Sequence, residues 1–513
     1  MSLPENALPA GGPAKPTQNS PSAPKFSYEI TPRERLFLPL TLCFCVLLAD
    51  TFLWYGPTAG LTAAVFAWHL LLLGYLGHGA FSSPESRWLA AENLLLASTL
   101  ALSSNWAFRI WNLLALLVLL PVQTLSLSGA PRLPWYRPAM LWERLGLLLW
   151  GLFGRLGAGF AALSRPRQGR RTAAAILGMA GALVLLVILV PVLSSADALF
   201  ASATVGLRRF VAEHLTEGLW KLLAGVVMTP FCFGFLYSLR HPISLTTAPE
   251  KPARHADALS FAIVLTALAL LYLAFLAIQV SGIVGGAAYL AERGISYADW
   301  ARSGFFQMVG VTAVNLLVLL TTVTFSNPAG RSWKAVRLLA TLVTLQSLVL
   351  LCSAAWRMTL YVGAYGLSFK RCMTYWGMGM MALFLVMALV KCWRPAFSFF
   401  RAAFPAALAG WLVINCVPVD YLVARNQVDR YLDGESPSLS IYYLAYDLSY
   451  DTLSQLERLD PRRDLADYEP EGWAPGDTLG DLLERRRADA ETECGNWRTW
   501  SLSACLAAGG GSK

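Results

Sequence analysis

Charge is what this sequence has least of. Only 14% of its 513 residues are Asp, Glu, Lys or Arg, against about 25% in an ordinary soluble domain. That shortage excludes a soluble enzyme, a disordered protein and a disulfide-framework toxin alike. Cysteine occurs nine times but never as a CxxC pair. The five histidines, His69, His78, His214, His241 and His255, fall at no metal-ligand spacing. There is no Walker lysine motif, no GxSxG elbow and no HExxH helix. Nucleotide, serine-hydrolase and zinc-protease chemistry therefore find no support here, and no metal or cofactor is expected. No repeat with a period of about 20–50 residues is apparent either.

What is present is apolar. Hydrophobic residues make up 56% of the chain, and the mean hydropathy is +0.49. The net charge of +9 is unevenly placed, for the stretch from Asp420 onward carries 18 acidic and 10 basic residues. That stretch is net −8 and the rest of the chain net +17. A nucleic-acid-binding domain can be this basic but not this oily, so the expected partner is a lipid bilayer and not nucleic acid. The composition predicts an all-α polytopic membrane protein with an acidic, water-soluble tail.

Residues 1–31, rich in Pro, Ala, Ser and Gly, cannot bury enough surface to offset their ordering entropy and read as a disordered arm. Windows of roughly 20 apolar residues, the length that crosses a hydrocarbon core, follow at 36–55, 58–77, 88–104, 107–127, 172–194, 219–239, 258–283, 304–325, 337–356, 374–390 and 401–418. About eleven transmembrane helices are expected, four in 32–127 and seven in 172–418. The window at 88–104 is short and contains Glu92. Between the two groups lies a basic loop, 128–171, suited to anionic lipids.

Lys and Arg favour the loops that an N-inside arrangement places in the cytoplasm by more than two to one. Eleven spans then put the tail, 419–513, outside a cell membrane. Residues 140–163 are apolar enough to tempt a twelfth span, but arginines flank both ends and Arg144 and Arg155 interrupt it. An amphipathic helix lying in the inner interface is the expectation. The tail reads as a small helical domain and as a surface for a protein partner. Val419 to Leu432 has helical spacing and stops at Gly434; Leu453, Leu456 and Leu459 share a face that Pro461 ends.

Candidate polar residues are few. Within the spans they are Asp50, His69, Glu92, Arg109, Asn315 and Gln346. Asp50 and Arg109 lie at similar outer depth and are expected to pair. Glu92 is expected near the inner interface, and His69 reads first as a neutral imidazole bonded between helices. Cys494 and Cys505, in the external tail with ten residues between them, are disulfide candidates, although spacing fixes no geometry. An outer-face cluster of Asp197, Tyr297, Asp299, Arg302, Arg357 and Tyr361 would form either a clamp between helices or the rim of a binding site. Aromatic belts account for its tyrosines singly but do not require the charges.

Several of these stretches resemble a known family. Ile295–Phe306 is similar to the "TYAEYARRGFF" pattern of bacterial multipass proteins in domain-of-unknown-function families 4153 and 4173. Leu193–Phe200 resembles their "LLSADPVF". Arg357-Met358, with Tyr361 and Tyr365-Gly366-Leu367, resembles "RM-LY-AYGLT". Tyr421, Asn426, Arg430 and Tyr431 resemble the "IARYNVERY" helix. The resemblance covers roughly 170–460, with departures at Trp300, where Tyr is usual, and at Ser368, where Thr is usual. It implies a bacterial cell-membrane protein and carries no activity or catalytic residue with it. Three functions remain open: a membrane scaffold or signalling partner, which the missing catalytic motifs and the acidic tail favour, a transporter, and an enzyme acting at the outer face.

Overall fold

The computed structural model describes residues 28–137, 139–163, 216–242, 257–291, 305–326, 333–469, 472–474 and 476–509, with scattered positions between 178 and 195. Those residues form helices and connecting turns. The first group is α1 (Pro32–Leu48, continued by a π-helical turn Ala49–Leu53), α2 (Ala59–Leu76), α3 (Pro84–Thr99) and α4 (Trp106–Ser126). Then come α5 (Met140–Leu149) and α6 (Gly157–Leu163), joined by a second π-helical turn, and α7 (Thr216–Arg240). The second group is α8 (Ala258–Ala291), α9 (Phe305–Phe325), α10 (Trp333–Tyr365), α11 (Phe369–Trp393) and α12 (Phe399–Cys416). The tail holds α13 (Val419–Leu432), α14 (Leu453–Leu456), α15 (Leu479–Gly495) and α16 (Leu502–Gly509).

Local sequence explains where these helices begin. Thr31 accepts from Glu34 N while the Glu34 carboxylate accepts from Thr31 N, and Pro32 occupies the first turn of α1. Asn105 caps α4, Ser368 caps α11, and Thr478 with Asp481 forms a capping box on α15.

Among the described residues nine helices are long and apolar enough to cross a membrane. The window expected at 88–104 folds as α3, whose sixteen residues span only about 24 Å. The window at 172–194 lies, apart from scattered positions, outside the described residues. The α5–α6 pair would pass the same test only as one span, and it is bent by 41°. Both arms of the pair pack on the same end of the bundle. Arg144 is buried and donates to Val122 O near the end of α4, 2.9 Å. Gly159 lies against Pro230, and Ala158 and Ala162 pack with Tyr28, Ile30 and Tyr237.

Several apolar clusters hold the bundle. One joins α1, α2, α4, α5 and α7 through Phe37, Trp68, Tyr75 and Phe235; another joins α8 to α11 through Leu265, Leu319, Leu350 and Leu385; a third joins α2, α3, α4 and α12 through Leu61, Leu96, Leu116 and Leu408. Polar side chains inside the bundle bond between helices. Asn315 accepts from the Tyr272 hydroxyl at 2.5 Å and donates to Ser347 Oγ at 2.9 Å. Asn112 donates to Thr99 and Asn415, both 2.8 Å, and accepts from the Trp411 indole at 2.7 Å. In hydrocarbon such bonds contribute about 0.6–2 kcal/mol each.

The tail packs around Val423, Val428, Leu444, Leu456, Tyr468 and Leu482, and Phe108 of α4 joins the same core. It sits on one end of the bundle, here the tail face. The turn before α2 reaches it through Thr58 Oγ1 and Gly60 N, which both donate to Arg498 O at 2.7 Å. The turn before α4 reaches it where Leu502 N donates to Ala101 O at 2.9 Å.

Candidate functional site

The chemistry of this chain gathers where the tail meets the bundle. Three charged contacts fasten the two parts. Asp50, in the π-helical turn ending α1, accepts from Arg498 Nε at 2.7 Å and from Lys221 Nζ of α7 at 2.6 Å. Arg109, in the first turn of α4, pairs with Glu493 at 2.9 Å and donates Nε to Ser103 O at 3.2 Å. Cys494 and Cys505 are disulfide-bonded, closing the short segment that carries Arg498. Asp50 and Arg109, expected to pair with each other, are thus both taken by the tail. Burying a charge favours whichever opposite charge reaches it, and here the tail supplies one for each.

The third contact is buried. Asp420, 3% exposed, accepts from Asn105 Nδ2 through both oxygens, at 2.9 and 2.7 Å, and from Ser449 N at 3.0 Å. Ser449 also donates its hydroxyl to Asp451, 3.1 Å. Beside this pair lie two cavities of about 250 and 360 Å³, which share Pro418, Asp451, Ser503 and Leu506 and so form one cleft. Tyr421, Ser454 and Glu457 line its outer part. Burial raises the Asp420 and Asp451 carboxyls above the ordinary carboxylate value. Asn105 and Ser449 pull Asp420 part of the way back, as Ser449 does for Asp451, while the charge of Asp420 pushes Asp451 further up. The cleft is suited to a cationic or hydrogen-bond-donating group. No cluster of His, Cys, Asp and Glu among the described residues could hold a metal ion.

A second set of contacts seats α13 on the turn between α10 and α11. Asn426 Oδ1 accepts from Leu367 N at 2.7 Å, Gln427 Nε2 donates to Leu367 O at 2.6 Å, and Arg430 Nη1 donates to Gly363 O at 2.6 Å. Gly366 takes φ +73° there, which favours glycine, and a Cβ on it would lie 2.6 Å from Gln427 Nε2 and displace that amide. Two sequence patterns some sixty residues apart, Tyr365-Gly366-Leu367 and Asn426 with Arg430, are therefore the two halves of one joint. The family model described as Domain of unknown function (DUF4153) matches residues 91–459, well over half of the chain. The chain belongs to the DUF4153 family. No curated protein and no solved structure matches it. The DUF4153 match takes in Asn105, Asp420, Asp451 and the α13 joint, whereas Arg498 and the disulfide lie beyond it.

Of the expected outer-face residues, Asp197, Tyr297, Asp299 and Arg302 lie outside the described residues. Arg357 is buried in α10, where Nη2 donates to Gln279 Oε1 at 3.0 Å. Tyr361, one turn on, lies under the Arg371 guanidinium at 4.4 Å and beside Tyr365 at 4.9 Å. His69 bonds through Nδ1 to Val65 O of its own helix, 2.8 Å, and not to a neighbouring helix. Glu92 lies at the middle of α3, half-buried, with Oε1 lacking a hydrogen-bond partner. Gln346 Nε2 donates to Ala269 O at 2.9 Å. The sequence reading missed Asn105, Lys221, Asp420, Asp451, Glu493 and Arg498. Asn105 carried a usable signal, an N-cap before an apolar run; the others gain meaning only from partners far along the chain.

Proposed function

We propose that this integral membrane protein is a scaffold that holds a rigid, disulfide-closed domain on the outer side of a bacterial cell membrane, with the cleft around Asp451 facing a protein partner. The observation that carries the reading is the fixed seating of the tail. A tethered tail would need only the α12–α13 connection, whereas this one is fastened at Asp50, Arg109, Asp420 and the α13 joint. The Lys and Arg bias of the loops supports a cytoplasmic N-terminus, and a disulfide suits an oxidising compartment. The far-face contacts of both arms of 140–163 support a segment that lies at the cytoplasmic interface, where its arginines attract anionic lipids. Asn112, Asn315 and Gln346 close onto neighbouring helices, which favours a packed bundle over a transport path.

Photoreactive residues placed at Tyr421, Ser454 and Glu457 of the full chain in intact cells test this reading. A discrete protein adduct is expected at the cleft and not at Asp433, on the exposed surface at the end of α13, and Asp451→Ala should weaken it. If none of the three cleft positions yields an adduct, the scaffold reading fails.

A further inference from the structure

Inside the first helical group a layer of polar side chains separates two apolar levels. Toward the tail face, Leu61 of α2, Leu96 of α3 and Leu116 of α4 pack in one cluster. Toward the opposite face, Leu72 and Leu125 belong to a second cluster and Leu89 to a third. Between these levels the buried stripes of the same three helices carry His69, Asn93 and Gln123, which are 8%, 0% and 0% exposed. Two hydrogen bonds bring the three side chains to one depth. Asn93 Nδ2 donates to Leu119 O at 3.3 Å, and Gln123 follows Leu119 by one turn on the same face of α4. Trp68, just before His69, donates its indole N–H to Thr124, just after Gln123, at 3.1 Å.

Each of the three keeps a buried polar atom without a partner: His69 Nε2, Asn93 Oδ1 and both ends of the Gln123 amide. What each atom offers follows from its neighbours. His69 Nδ1 lies 2.8 Å from Val65 O, which can only accept, so Nδ1 carries the proton and Nε2 of the neutral ring accepts. Asn93 places its nitrogen against a carbonyl, so its oxygen is the orphaned acceptor. Gln123 is orphaned at both ends, so turning its amide over changes nothing. The layer therefore presents three acceptors and one amide N–H donor group. Left unpaired, each would carry its full desolvation cost.

We propose that this layer is an enclosed hydration site, in which a pair of water molecules bridges α2, α3 and α4 through His69, Asn93 and Gln123. One water supplies two hydrogens and three acceptors call for three, so a pair is the smallest set that satisfies them, with Gln123 donating back to a water oxygen. A neutral ligand suits the site. Glu92, the nearest acid along α3, lies about 100° around that helix from Asn93, on the side of Trp88, which packs on Phe404. The apolar levels above and below separate the layer from both faces, so the water is a structural part of a packed bundle.

X-ray hydroxyl-radical footprinting of the full chain in lipid nanodiscs tests the proposal, because the radicals arise from water where it is bound. His69 should be oxidised despite its burial, whereas Phe233, in an apolar cluster, should stay unmodified. Asn93→Leu combined with Gln123→Leu removes two of the three anchors and should abolish the oxidation of His69. Gln123→Leu alone should lower the unfolding temperature by stranding the water; in a dry layer the same change would delete an unpaired buried amide and raise it. A variant that fails to fold would expose Phe233 to oxidation as well, and the wild-type label then decides by itself. Wild-type His69 as unreactive as Phe233, unchanged oxidation in the folded double variant, or a raised unfolding temperature in Gln123→Leu would each overturn the proposal.

Discussion

At the scale of single residues, Asn105 does most to join the two parts of the molecule. Its Oδ1 accepts from Ala107 N at 2.9 Å and Phe108 N at 3.1 Å, capping α4, while its Nδ2 holds Asp420. Asn105→Ala should remove the cap, about 1 kcal/mol, and leave a buried carboxylate short of its donor, a further ~1.5–3 kcal/mol. Limited proteolysis and tryptophan fluorescence of the tail should report the loss, and an unchanged unfolding temperature would refute the coupling. Asp420 and Asp451 add a pH dependence. Their carboxyls are raised by burial, so the folded protein holds protons that the unfolded chain has released. Their ionised forms weaken the junction at neutral pH, and that penalty is lifted as pH falls through the raised values toward the ordinary carboxylate value. Tail unfolding temperature should therefore rise on mild acidification, and Asp420→Asn should flatten that rise.

At the scale of elements, α1 and α7 approach closely. A Cβ on Gly225 would sit 2.5 Å from Val46 Cγ2 and 2.9 Å from the Val46 backbone, and backbone cannot rotate away. Gly225→Ala should push the helices apart at a cost of about 1–3 kcal/mol. Gly218→Ala, on the same helix with nothing within 4 Å of its Cβ, should leave the unfolding temperature unchanged or slightly raised. Equal unfolding temperatures for the two variants would argue against the contact. Element positions were legible in the sequence because an apolar run of sufficient length and a capping residue are local signals: Thr31, Asn105 and Ser368 each stand just before a helix. Partners were not. Asp50 and Arg498 lie 448 residues apart, and no periodicity connects them. The family patterns at 365–367 and 426–430 marked both halves of a joint without revealing that they touch.

At the scale of the whole molecule, the contacts fix which chain ends share a face. Asp50 binds both Lys221 at the start of α7 and Arg498 of the tail, so α7 enters the bundle from the tail face. Helix α4 also starts there, at Asn105, and ends on the opposite face. Ser126 and Thr216 therefore lie on opposite faces. Residues 140–163 touch Val122, Tyr28 and Tyr237, all toward the opposite face. Whether the tail face is the outer one can be read from a single thiol. Cys416 is free and exposed at the tail-face end of α12, whereas Cys43 and Cys352 are exposed along the apolar lengths of α1 and α10. With the tail outside, a membrane-impermeant maleimide applied to intact cells should modify Cys416 without prior reduction. Cys416→Ser should abolish that labelling, and reduction should then expose Cys494 and Cys505 to the same reagent. Modification of Cys416 only after lysis would place the tail in the cytoplasm, where a disulfide would not persist.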